Sequence, residues 1–151
     1  MLGAARRGGA VFREKTVPDF IYLASQSPRR RQLLEQIGVQ HELLLPDADE
    51  DAEALEAVLP GESPLTYVRR VTALKLDAAV ARLKRRGLPV APVLCSDTTV
   101  ALGRVILGKP ADAVEARQML QALSGTTHRV LTAVAVQGAR KRWEALSDSK
   151  V

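Results

Sequence analysis

Apolar residues recur at two periods along this chain, and the switches between them outline its elements. Residues 20–25 form a short apolar run that predicts a strand. From Pro28 the spacing lengthens. Leu33, Leu34 and Ile37 recur at helical intervals, predicting a helix over 28–37 that faces a core. Ser27 is its expected N-cap, Pro28 suits its first position, and Gly38 stops it. An extended run follows at 40–45. Residues 46–63 are an acidic connector bounded by Pro and Gly, with a short helix expected at 52–58. Ser63-Pro64 opens a long helix to about Arg86, in which Tyr67, Val68, Val71, Leu74, Ala78 and Leu83 keep helical spacing and which Gly87 ends. Val93–Ala101 is a strand, turned at Gly103 into a short partner at 104–107. Asp112 caps a helix over 113–123. Thr126–Gln137 alternates as a strand, and Lys141–Val151 begins another. Strands alternating with helices predict an α/β fold.

The junction at residues 21–34 carries the first chemical signal. A strand runs into Ser25 and Ser27, then into Pro28 and three arginines at the start of a helix. Backbone amides and hydroxyls at such a helix start bind anions, and arginine forks suit phosphate oxygens. Two readings fit this stretch equally: a triphosphate-binding loop, or a capped surface helix with solvated arginines. The loop lies at the carboxyl end of a strand, where ligands of open α/β sheets gather. Neither G-x-x-x-x-G-K-[ST] nor G-x-G-x-x-G occurs.

Composition narrows the classes. The 151 residues are enough for one domain with a real core, and 46% hydrophobic against 26% charged is a globular balance. No apolar run approaches the roughly 18 residues of a membrane span. The single cysteine, Cys95, excludes an internal disulfide framework and a cysteine-based zinc site, and its apolar strand predicts a buried hydrophobe rather than a nucleophile. His41 and His128 have no metal-ligand spacing. The net charge of +5 and a sequence pI of 9.8 fit a polyanionic partner, a nucleotide or a nucleic acid. Five aromatic residues (one Trp, two Tyr, two Phe) are too few for base-stacking platforms, which argues against nucleic acid. Residues 1–20 set Arg6, Arg7, Arg13 and Lys15 against Glu14 and Asp19, and are expected to be a flexible basic extension.

Ser25-x-Ser27-Pro28-Arg29-Arg30, followed by paired leucines, resembles the signature of the Maf family of nucleoside triphosphate pyrophosphatases, first named for an effect on septum formation. The likeness continues in order through Asp49-Glu50, Gly61-Glu62-Ser63-Pro64, Lys75, Ser96-Asp97-Thr98, Gly108-Lys109-Pro110, Leu123-Ser124-Gly125, His128 and Thr132. The resemblance implies a mixed sheet flanked by helices, similar to the inosine-triphosphatase fold, with a nucleotide cleft, over residues 21–151. It implies hydrolysis of a nucleoside triphosphate to monophosphate and pyrophosphate by a cytoplasmic enzyme, with Mg²⁺ or Mn²⁺ and no nucleic acid or membrane partner. A homodimer is compatible with it.

Residue roles follow from the same resemblance. Asp97, at the end of an apolar run, is the proton acceptor and a metal ligand. Read alone it is more often a hydrogen-bonded strand-end Asp. Glu50 is the site carboxylate and second metal ligand, its acidic neighbours Asp47, Asp49, Asp51 and Glu53 being solvated. Ser25, Ser27, Arg29, Arg30, Lys75, Thr98 and Lys109 contact substrate. Without the resemblance, Lys75 is a snorkelling helix lysine and Lys109 a surface turn lysine. Arg29 and Thr98 resemble the dTTP/UTP branch, where the 7-methyl-GTP branch carries Trp and Gln.

The family's members are longer, so the chain resembles a C-terminally incomplete member, expected to be poorly stable, inactive or self-associated through an unpaired sheet edge. That departure leaves two rivals: an inactive nucleotide-binding or septum-related regulator, and a basic nucleic-acid-binding domain motivated by charge alone.

Overall fold

The computed structural model describes residues 19–151. The basic extension expected at 1–20 therefore falls outside the described residues, except for its last two. Six strands and three α-helices follow one another as β1 (Ile21–Leu23), α1 (Pro28–Gln36), β2 (His41–Leu43), a 3-10 turn (Glu53–Glu56), α2 (Pro64–Arg85), β3 (Val93–Leu102), β4 (Val105–Leu107), α3 (Ala113–Leu123), β5 (Arg129–Gln137) and β6 (Arg142–Lys150). The expected elements are all present, shortened by a residue or more at several ends.

The helix starts are the ones the sequence marks. Ser27 Oγ accepts from Arg30 N, Ser63 Oγ from Thr66 N and Asp112 Oδ1 from Glu115 N, each satisfying an orphan donor of its first turn. Pro28 and Pro64 occupy first-turn positions where a missing N–H costs nothing. Past the ends of α1 and α2, Gly38 and Gly87 take φ of 75° and 63°, a region that penalises any Cβ.

The strands form one mixed sheet in the order β2-β1-β3-β5-β6. β1 pairs parallel with β2 and β3, while β5 runs antiparallel to β3 along Val93–Ala101 and to β6 along its full length. On its other edge β3 changes partner. It pairs with β1 at Val93 and Leu94, then with β4 at Val100–Leu102. Residues 95–99 lie between these two ladders, which leaves a notch in the sheet.

α2 packs across β3 and β5. Tyr22, Leu44, Leu76, Ala79, Leu83, Val93, Cys95 and Ala135 make one buried cluster, and Val68, Ala101, Leu131 and Ala133 a second. Cys95 is 1% exposed, and burial pushes its thiol up to about 12, so the expected inert hydrophobe is what the fold contains. The expectation that Leu33, Leu34 and Ile37 face a core is corrected. α1 has no buried residue, with Leu33 51% and Ile37 71% exposed. α3 is likewise without a buried residue. Helical spacing shows that a face is apolar; it does not say that a partner surface exists, and among the described residues α2 has the sheet contact.

The connector after β2 is tied to the C-terminal turns of α2. Arg82, 4% exposed, donates to Leu44 O at 2.9 Å and to both Glu50 oxygens at 2.9 and 2.7 Å. Arg85 reaches Asp47 Oδ2 and Glu50 Oε2, and Arg86 reaches Leu45 O and Asp47. Asp47 is therefore an ion-paired residue rather than the solvated neighbour expected, because the tertiary fold brings it against arginines 38 and 39 positions away. The Arg82 hydrogen bonds, outweighing partial burial, hold the Glu50 carboxyl down at about 2.

A folded-state pKa below the ordinary 4.5 means that Glu50 adds stability above that pH. The contribution is lost as pH falls from about 4.5 toward 2. Allowing for partial solvent screening it is about 2 kcal/mol. Glu50→Gln should lower stability by that amount or more at pH 7, since Arg82 stays buried without its counter-ion, and should flatten the acid limb between pH 4.5 and 2. Urea unfolding at stepped pH measures both. An unchanged acid limb in Glu50→Gln would remove Glu50 from this role.

Candidate active site

The notch in β3 opens into a cavity of about 680 Å³. Strand alternation puts Val93, Cys95, Thr99 and Ala101 on the buried face toward α2, and Asp97 falls in the same register. Its carboxylate thus points to the helix between the two halves of the core. Lys75 of α2 meets it there, Nζ lying 3.5 Å from Oδ1. Lys75 Nζ also donates to Glu56 Oε1 at 2.7 Å, so one ammonium bridges two carboxylates. The three side chains are partly shielded, with Asp97 18%, Lys75 23% and Glu56 34% exposed.

The serine loop closes another side. Ser27 N and Arg30 Nη1 both donate to Ser25 Oγ, at 3.2 and 3.1 Å. Arg30 Nη2 reaches Thr98 Oγ1 at 3.5 Å, and Thr98 Oγ1 lies 2.9 Å from Thr132 Oγ1 on β5. Arg30 therefore spans from the loop to β3. Ser25, Ser27, Arg30, Glu50, Lys75, Asp97, Thr98 and Lys109 all line the cavity, bringing together eight of the nine residues the sequence singles out. Arg29 is the exception. It stands exposed at the start of α1, outside this lining. A second hollow of about 320 Å³ flanks the loop, walled by Arg31, Leu43 and Leu45.

Two contributors escape a reading of the sequence. Arg82 also lines the cavity, and Lys75, Ala78 and Arg82 stand at i, i+3 and i+7, one face of a helix. That cationic spacing was available as a signal. Glu56 had none, since nothing distinguishes it within an acidic tract until the 3-10 turn sets it beside Lys75.

The lining carries four cationic side chains (Arg30, Lys75, Arg82, Lys109) and five carboxylates (Glu50, Asp51, Glu53, Glu56, Asp97). By themselves these groups provide no excess positive charge for a polyphosphate. A divalent cation would supply it. Among the described residues no group of three or more His, Cys, Asp or Glu could cage a metal. Mg²⁺ bound through substrate phosphates needs only one or two carboxylates, however. Asp97 offers a partly shielded carboxylate within the cavity. Glu50 has both oxygens engaged by Arg82. No described helix is long and apolar enough to cross a membrane.

The chain is 74% identical over 133 residues to a protein of Albidiferax ferrireducens named dTTP/UTP pyrophosphatase, a match covering 88% of this chain and 66% of that one. A Polaromonas protein of the same name is 71% identical with the same coverages. The chain thus spans about 66% of the length of these relatives. Among solved structures, the Staphylococcus aureus Ham1 protein superposes with a TM-score of 0.52 at 14% identity, over 86% of this chain and 69% of that one, a likeness of fold alone. It agrees with the mixed sheet flanked by helices that the family resemblance implies. The family model described as Maf-like protein matches residues 20–151, and the chain belongs to the Maf family.

Proposed function

We propose that the cavity binds a nucleoside triphosphate and hydrolyses it to the monophosphate and pyrophosphate, with dTTP and UTP as preferred substrates. The observation that carries this reading is Asp97, set in the sheet notch with a lysine 3.5 Å away and the Arg30-bearing serine loop opposite. The names of the similar Albidiferax and Polaromonas proteins support the substrate class.

In this mechanism Arg30, Lys75 and Lys109 hold the phosphate oxygens, and the Ser25–Ser27 loop adds hydroxyl and amide donors. Asp97 orients a water and accepts its proton as the oxygen attacks the α-phosphorus. The bond from that phosphorus to the bridging oxygen breaks, and pyrophosphate leaves with the electron pair. Mg²⁺ or Mn²⁺, held by Asp97 and the phosphates, would neutralise charge and stabilise the leaving pyrophosphate. Glu50 acts indirectly, by fixing Arg82 in the wall. Thr98, tied to Thr132 and Arg30, shapes the same side of the cavity. The reduced, buried Cys95 is compatible with work in the cytoplasm.

A panel of nucleotides with Mg²⁺, scored for pyrophosphate against orthophosphate, tests the reaction. Pyrophosphate should form, with kcat/KM higher for dTTP and UTP than for GTP-type nucleotides. Preference for 7-methyl-GTP would refute the branch, and nucleotide binding without turnover would favour a regulatory binding module.

In a version extended to the length of its relatives, Asp97→Asn should lower turnover at least ~100-fold, as expected for loss of a positioned proton acceptor, while nucleotide binding through the cations persists. Turnover within a fewfold of the parent would exclude Asp97 as the acceptor.

A further inference from the structure

The acidic connector ends in a tether built on α2. Tyr67 Oη donates to Glu56 O at 2.7 Å, and Arg70 Nη2 to Ala57 O at 2.6 Å. Arg70 also grips Glu62 through two hydrogen bonds of 2.6 and 2.9 Å, and Glu62 Oε1 accepts from Leu59 N. Three side chains thus fix both ends of the segment that follows the 3-10 turn. The turn's last residue, Glu56, consequently lies with its carboxylate on Lys75, closer to the ammonium (2.7 Å) than Asp97 is (3.5 Å). Glu56 lines the cavity on the same side as Lys75 and Asp97.

The geometry points to Glu56 as an internal stand-in for phosphate: a tethered carboxylate that occupies Lys75 while the cavity is empty and must release it when a triphosphate arrives. This rests on the pyrophosphatase reading and adds a residue to it. In the empty cavity Lys75 would otherwise face Asp97 alone, 3.5 Å away, and a direct contact between the two would draw the proton acceptor off its water. With Glu56 as the nearer partner, the ammonium is held short of Asp97. An incoming phosphate oxygen replaces one anionic oxygen with another at the same ammonium. The exchange costs affinity and keeps Lys75 in position. Glu56 is therefore a positioning residue, acting through Lys75, and it lowers the affinity of any anion that must take its place.

Calorimetric titration of the 1–151 chain with inorganic tripolyphosphate tests this without turnover. The comparison is between the parent, Glu56→Gln, Tyr67→Phe and Lys75→Met. Glu56→Gln removes the competing charge and keeps the shape, so it should bind tripolyphosphate about three- to tenfold more tightly, the scale of a partly screened ion pair. Tyr67→Phe loosens the tether and should shift affinity the same way by a smaller factor. Lys75→Met should weaken binding and abolish the gain when combined with Glu56→Gln. The gain in Glu56→Gln should shrink as salt is raised, as the loss of a charge requires and a purely structural change would not produce. Parent-like affinities in Glu56→Gln, with binding still lost in Lys75→Met, would overturn the stand-in alone. Absence of tripolyphosphate binding in the parent and in Glu56→Gln alike would overturn the pyrophosphatase reading and the stand-in with it.

Discussion

Everything at the candidate site depends on one constraint in the sheet: β3 exchanges a parallel neighbour for an antiparallel one in mid-strand. β1 holds Val93 and Leu94, and β4 holds Val100 to Leu102. An uninterrupted neighbour would have sealed the edge at Asp97 with a ladder. The interruption instead leaves a polar strand segment beside open space while β5 keeps it rigid from the other side. The side chains there are placed by a continuous strand, not by a loop, which is how catalytic geometry is held to small tolerances.

The same constraint divides the core. Buried clusters lie toward either end of α2, and the Lys75–Asp97 contact comes between them. A lysine and an aspartate in this position give up apolar burial that a leucine and a valine would provide. Nearby, Arg82 is sunk into the wall and hydrogen-bonded through all three of its nitrogens to Glu50 and Leu44. Polar groups of the cavity and polar groups of the scaffold thus sit on one helix, a single turn or two apart, and the partner of each decides which it is.

Much of this was legible in the chain, for identifiable reasons. Ser27-Pro28, Ser63-Pro64 and Asp112 announce helix starts because capping is a local interaction, complete within four residues. Val93–Ala101 is legible because alternation and burial coincide. Leu33 and Ile37 misled because amphipathic spacing carries no information about a covering surface, and both are exposed. Glu50, Lys75, Asp97 and Lys109 emerged from family resemblance, their local patterns being ambiguous. Asp47 and Glu56 could not be sorted, since pairing across 19 to 39 residues is decided only when α2 docks. Arg29 and Arg30, adjacent in sequence, separate in space because neighbouring helical residues point some 100° apart, and Arg30 is the one that turns toward Thr98.

The charge inventory of the cavity has a kinetic consequence. Although the chain carries a net +5, the lining balances four cations with five carboxylates. The positive excess therefore lies outside this lining, and the lining itself is not of one sign. Long-range steering accelerates association only when a cleft is lined by one sign of charge. For an anion entering the proposed site, the lining would thus add little long-range steering of its own, and retention would rest on local exchange of ion pairs.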